Sequence, residues 1–74
     1  MSQLYFFRAF VSVEDCERYY QGQVIQVIVT TEQGLRIQLP FKYFRPFISK
    51  VGIRGYFRLS LDSNGRLQRL EKIS

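Results

Sequence analysis

The sequence predicts an α+β, mainly β domain: a small five-stranded, mostly antiparallel sheet or barrel with one short helix after the first strand, in the order β-α-β-β-turn-β-β. Three observations carry that expectation. Strand-length runs of alternating or β-branched character recur along the chain, most cleanly over Ile53–Leu61. Glycine-bearing turn signals, Thr31-Glu32-Gln33-Gly34 and Asp62-Ser63-Asn64-Gly65, separate such runs. Only the stretch after Ser12 reads as a full helix.

Leu4–Val11 is aromatic and β-branched, the composition of a strand. Alternation places Tyr5, Phe7, Ala9 and Val11 on one face and Leu4, Phe6, Arg8 and Phe10 on the other. Both faces are largely apolar, which suits a strand packed on two sides or one whose outer face meets a partner. At Ser12 the chain turns helical: the hydroxyl can accept from the backbone N–H of Asp15, a capping box with Asp in place of the usual Glu. Glu14, Asp15 and Glu17 sit where the helix dipole favours negative charge. The expected inward stripe is Val13, Cys16 and Tyr20, with Tyr19 on its border, and Gly22 caps a helix of about two turns.

Val24–Thr30 reads as the second strand, and Leu35, Ile37 and Leu39 alternate with Arg36 and Gln38 in a third that ends at Pro40, making a hairpin. Phe41–Phe44 is expected to form one helical or 3₁₀ turn. Pro46 then restricts Arg45 to an extended exit. Gly52 breaks the chain before the fourth strand, where Ile53, Gly55, Phe57, Leu59 and Leu61 face one way and Arg54, Tyr56, Arg58 and Ser60 the other. Asn64-Gly65 suits a type I′ turn. In the last strand, Arg66–Ile73, Leu67, Leu70 and Ile73 fall three apart, so a bulge is expected.

The 74 residues suffice for a single domain, 1–74, with no linker or repeat. Five Tyr and seven Phe bring the apolar area that so short a chain needs for its core. Cys16 is the only cysteine, so an intramolecular disulfide is excluded and a reducing compartment is expected. The stretch Leu4–Val13 has no basic region before it and contains Arg8, unlike a signal peptide, and no apolar run is long enough to cross a bilayer. These features predict a cytoplasmic protein without membrane contact.

Catalysis and metal binding find little support. There is no His, the commonest general base and metal ligand. Cys16 falls on the packed side of a helix, and the position of Glu14, Asp15 and Glu17 at a helix start explains their charge. No glycine-rich phosphate loop is present. The chain is read as a non-enzymatic binding module without cofactor or metal.

Charge points to the partner. Residues 1–37 carry Arg8, Arg18 and Arg36 against Glu14, Asp15, Glu17 and Glu32, for −1. Residues 38–74 carry Lys42, Arg45, Lys50, Arg54, Arg58, Arg66, Arg69 and Lys72 against Asp62 and Glu71, for +6. Such asymmetry suits nucleic acid or another anionic partner for the second half, although charge also keeps a hydrophobic small protein soluble. The basic and aromatic face of the fourth strand, Arg54, Tyr56 and Arg58, is the candidate nucleic-acid site, with Arg66 and Arg69 added from the hairpin and Lys42 and Arg45 from the preceding turn. Arginines would meet phosphates while Tyr56 stacks on a base. Gly52-Ile53-Arg54-Gly55 has the Gly-x-x-Gly spacing of KH domains without their flanking helices, and Arg54-Gly55-Tyr56 begins like an RNP1 motif that Phe57 then breaks.

The alternative is a protein-interaction or homodimerisation module on the aromatic 41–48 segment, with Phe41, Tyr43, Phe44, Phe47 and Ile48 as anchors, joined by the outer face of the first strand. A nucleotide-messenger sensor is a third option, since arginines in a small barrel can hold phosphates, with no motif specific to it.

Four blocks carry a resemblance: Arg18-Tyr19-Tyr20-Gln21-Gly22, Arg36-Ile37-Gln38-Leu39-Pro40, Phe44-Arg45-Pro46-Phe47 and Gly52-Ile53-Arg54-Gly55-Tyr56-Phe57. In order and spacing the chain resembles a family of short, single-domain bacterial proteins known only as a domain of unknown function. The resemblance implies a stand-alone bacterial protein and transfers no activity, cofactor or site residue.

Overall fold

A computed structural model describes residues 3–74. The elements follow the expected order: β1 (Gln3–Val11), α1 (Val13–Tyr20), β2 (Gln26–Thr30), β3 (Arg36–Pro40), a 3₁₀ segment (Phe41–Phe47), β4 (Ile53–Leu61) and β5 (Leu67–Lys72). All pairing between strands is antiparallel, in two sheets: β1-β4-β5 and β2-β3.

The five strands do not close into a barrel. Where β1 and β2 would have to meet there is one backbone bond, from the Glu32 N–H to the Phe6 carbonyl at 2.9 Å, instead of a ladder. Toward the other end of β1 the two strands flank a gap of about 230 Å³ lined by Phe10, Val11, Val27 and Ile28, with Asp15 of α1 and Phe41 beside it. The helical crossover between β1 and β2 occupies the end at which the seam would zip.

One core joins the two sheets. Phe7, Val11, Ile53, Phe57 and Leu59 come from the three-stranded sheet, Val29 and Leu39 from the hairpin, Cys16 from α1, and Phe41 and Phe44 from the 3₁₀ segment. Phe57 is central: its ring lies 5.6 Å from Phe7, 5.7 Å from Phe44 and 5.3 Å from Phe47, stacked on the first and edge-on to the other two. Such offset and T-shaped arrangements suit aromatic quadrupoles.

Helix α1 is capped as its sequence indicates: the Ser12 hydroxyl accepts from the Asp15 N–H at 3.1 Å. At its other end Gln23 N–H donates to the Arg18 carbonyl and Gly22 N–H to that of Tyr19, a Schellman cap. The inward stripe, however, is Cys16 and Tyr19. Tyr19 stacks on Phe41 at 4.3 Å, whereas Val13 and Tyr20 are exposed. An i, i+3 pair is enough for a two-turn helix that covers only one end of the core.

Both hairpins turn through the same loop. In β2–β3 the Thr31 N–H donates to the Leu35 carbonyl and Gly34 N–H to the Thr31 carbonyl; in β4–β5 Asp62, Arg66 and Gly65 repeat the pattern. The side-chain oxygens of Thr31 and Asp62 each accept from the backbone N–H four residues on. Only Gly34 (φ 84°) and Gly65 (φ 79°) take positive φ in these loops, so Asn64-Gly65 does not form the expected type I′ turn, which needs positive φ at both residues. The side-chain bond from Asp62 selects a turn that ends in a left-handed glycine instead.

The 3₁₀ segment runs through Pro46 to Phe47, beyond the single turn expected, and Arg45 is not an extended exit. Burying Phe44 and packing Phe47 on Phe57 outweigh the preference of a residue before proline for extended backbone. The bulge in β5 is present: Ser60 pairs with Arg69 but Leu61 with Leu67, leaving Gln68 as the extra residue.

Candidate functional site

The site begins with the register of β1 against β4. Residues with outward side chains pair as Leu4 with Ser60, Phe6 with Arg58, Arg8 with Tyr56 and Phe10 with Arg54, so three of the four outward rungs join an aromatic ring to an arginine, and over those three the two kinds alternate along each strand. The contacts follow from that checkerboard. Phe6 and Tyr56 stack diagonally, centroids 6.0 Å apart, while the Arg8 guanidinium carbon lies 5.2 Å from the Tyr56 ring and that of Arg54 5.8 Å from the Phe10 ring. Guanidinium over an aromatic face is an attractive cation–π pairing.

Two carboxylates divide this face into unlike ends. Glu71 on β5 accepts from Arg58 through Nε at 3.1 Å and Nη2 at 2.7 Å, and its other oxygen lies 3.9 Å from Arg69. Glu32, from the β2–β3 loop, accepts from the Tyr56 hydroxyl at 2.7 Å. That hydrogen bond is the main reason the Tyr56 phenol titrates above its ordinary range, with burial and the Glu32 charge adding to it and Arg8 opposing it. At the opposite end, Arg8 and Arg54 have no carboxylate within ion-pair distance among the described residues. Both line an open cleft of about 440 Å³ with Ala9, Phe10, Gly55 and Ser74.

The candidate nucleic-acid residues are therefore only partly brought together. Arg54, Tyr56, Arg58 and Arg69 share the outer face of β1-β4-β5. Lys42 and Arg45 do not join them. They ride on the 3₁₀ segment, which packs through Phe44 and Phe47 on the Phe57 side of the sheet. Arg66 lines a separate groove of about 430 Å³ with Tyr43, Ile37, Pro40 and Leu67. Tyr56 is not an open stacking platform, since Phe6, Arg8 and Glu32 already engage it.

The candidate protein-interface residues separate as well. Phe41 and Phe44 are fully buried and serve the core, Phe47 and Ile48 are half-buried against it, and only Tyr43 is exposed, with the Lys42 ammonium 5.4 Å from its ring. The anchors expected in the 41–48 segment are thus largely spoken for.

Sequence reasoning assigned Phe6, Arg8 and Phe10 to one face of the first strand but did not join them to Arg54, Tyr56 and Arg58. Alternation was the available signal for each strand; the pairing of β1 with β4 lies more than forty residues apart in the chain and left no local trace. Glu32 and Glu71 were likewise not legible as partners of this face.

Elsewhere the chemistry is sparse. Cys16 is buried, and desolvation, with the nearby Asp15 charge second, raises its thiol above the ordinary value, the reverse of an activated nucleophile. Among the described residues no three of His, Cys, Asp or Glu are grouped so as to hold a metal ion, and no helix is long and apolar enough to cross a membrane.

Comparison with curated proteins and with solved structures returned no match. A family model described as "Protein of unknown function (DUF2835)" matches residues 3–73, nearly the whole chain, and the protein belongs to that family.

Proposed function

We propose that this domain is a non-enzymatic binding module that takes nucleic acid on the outer face of its three-stranded sheet. The observation that supports this reading is the pairing of an aromatic ring with an arginine on three of the four outward rungs, Phe6/Arg58, Arg8/Tyr56 and Phe10/Arg54. A face that had only to stay soluble would need charge without rings. Rings beside arginines are what a nucleic acid meets favourably, because phosphates take the guanidinium groups and bases take the π-faces. The net charge of +5 adds a long-range attraction for the polyanion.

The test is fluorescence anisotropy with labelled single- and double-stranded DNA and RNA across a salt series. Binding should weaken steeply with salt and prefer one nucleic-acid form. Arg54→Glu combined with Arg58→Glu should abolish it while the circular dichroism spectrum stays that of the folded protein. Affinity unchanged by that double substitution, or equal weak binding to every polyanion, would sink the reading.

A further inference from the structure

The outer face offers a ligand one end only, and the geometry points to what that end takes. We infer that the nucleic acid is single-stranded, with a base on the Phe10 ring and the adjoining phosphates between Arg8 and Arg54; the inference rests on the nucleic-acid reading above and narrows it.

Arg58 and Arg69 share the Glu71 carboxylate, so a phosphate arriving there must displace an anion already in place. The Tyr56 ring is covered by Phe6 and Arg8 and its hydroxyl is held by Glu32. The other end is less encumbered, although Arg8 lies over Tyr56 as well as lining the cleft. Arg8 and Arg54 have no carboxylate within ion-pair distance among the described residues, and both line an open cleft of about 440 Å³. Phe10 lies at its rim with 69% of its surface exposed, the most of any large apolar side chain described. The Arg54 guanidinium carbon lies over that ring, 5.8 Å from its centroid, which fixes the ring's orientation and leaves its exposed remainder to a base.

Single-strandedness follows from the ring. A base can lie on Phe10 only if it has left its own stack, which a single strand permits and a duplex resists. Arg54 pairs with Phe10 across the ladder and Arg8 precedes it by two residues on the same strand, so both charges adjoin the platform.

The experiment compares a labelled oligothymidylate with a duplex of equal length, by anisotropy over a salt series. Phe10→Ala should weaken single-strand binding by about tenfold at every salt concentration, leaving the salt slope unchanged, whereas Phe10→Tyr should restore affinity. Arg8→Gln and Arg54→Gln should each lower the slope of log K against log salt by about 0.7, the value for one single-strand phosphate contact. The paired controls Arg58→Gln with Arg69→Gln, and Lys42→Gln with Arg45→Gln, should change affinity less. Tighter duplex binding, or full affinity in Phe10→Ala, would overturn the inference while leaving the nucleic-acid reading standing with its site elsewhere. Absence of binding to either probe at low salt would overturn both. Thermal melts of each variant confirm that the comparison is made between folded proteins.

Discussion

The two faces of the β1–β4 ladder are built from the same eighteen residues with opposite results. Inward lie Phe7, Val11, Ile53, Phe57 and Leu59, all buried. Outward lie Phe6, Arg8, Phe10, Arg54, Tyr56 and Arg58, rings and guanidiniums in alternation. Aromatic residues thus occur on both faces, yet they do different things. Inside, Phe57 sits among three other phenylalanines, of which Phe7 and Phe44 are buried with it and Phe47 half-buried. Outside, Tyr56 and Phe10 each have a guanidinium over the ring, and while Phe6 and Tyr56 are half-buried, Phe10 is left open. Composition alone therefore does not separate core from site in a chain so rich in Phe and Tyr; the parity of a residue along its strand does.

The sharpest way to break that comparison is to remove one ring from each face. Phe57→Ala deletes a fully buried ring, a change that costs about 3–5 kcal/mol in protein cores. A domain this small has about that much net stability in total. The variant is therefore expected to be largely unfolded in water at room temperature, measured as loss of the urea transition. Phe10→Ala, the matching deletion on the outer face, should move stability by no more than about 0.5 kcal/mol. Similar losses for both would mean that the outer face is a second packing surface.

A second substitution tests how the inner ladder is joined to the helix. Gly52, at φ 89°, precedes β4, and a Cβ there would run into the Val11 carbonyl oxygen. Gly52→Ala should cost about 1–3 kcal/mol from the left-handed backbone alone, with the backbone collision in addition. The urea midpoint should fall well below that of Gly34→Ala, where a Cβ meets nothing within 4 Å. Equal losses would show that the close approach of β1 is relaxed at little cost.

How much of this was legible beforehand depends on the range of the interactions. Element order, the Ser12 cap, the bulge in β5 and the faces of β4 are set by residues a few positions apart, and alternation or capping chemistry exposes them. Barrel closure was not legible, because it turns on whether β1 and β2 meet across the helical crossover. The aromatic 41–48 segment was ambiguous for the same reason. Nothing local distinguishes Phe41 and Phe44, which fill the core, from Tyr43 between them, which does not. In the site, Arg54, Tyr56, Arg58 and Arg69 were correctly placed on one face, but Lys42, Arg45 and Arg66 were grouped with them by sequence proximity alone. The division of that face by Glu32 and Glu71 needed contacts made across the chain.

Within the outer face, the neutralised end can be measured against the open one. Arg58 and Glu71 are about a third exposed, at 37% and 33% of their side-chain surfaces, so their pairing is a surface ion pair despite its two hydrogen bonds. A double-mutant cycle with Arg58→Gln and Glu71→Gln should give a coupling of about 0.2–1 kcal/mol, shrinking in high salt. The informative variant is Glu71→Gln alone. It frees Arg58 and Arg69 together, and it should strengthen anion binding at that end even as it slightly destabilises the fold. Unchanged binding would mean that the carboxylate does not restrain those arginines.

The smallest expected effect concerns the clasp between the two sheets, where the Tyr56 hydroxyl donates to Glu32. The bond raises the Tyr56 pKa in the folded state above the ordinary tyrosine value of about 10. Linkage then gives the sign: the unfolded state loses the proton first, so the clasp contributes fully below the unfolded pKa and is lost as pH rises through the folded one. Stability should therefore decline with alkaline pH from about pH 10 upward. The decline of the native protein alone does not assign the effect to this bond. Tyr56→Phe isolates it. The variant should be slightly less stable near neutrality, and the gap between the two proteins should close as the pH passes the folded Tyr56 pKa. Urea midpoints of both proteins over that range provide the measurement. A gap that stays constant would mean that the hydroxyl contributes through packing alone, and that the hairpin tip is held against the sheet by the backbone bond from Glu32 to Phe6.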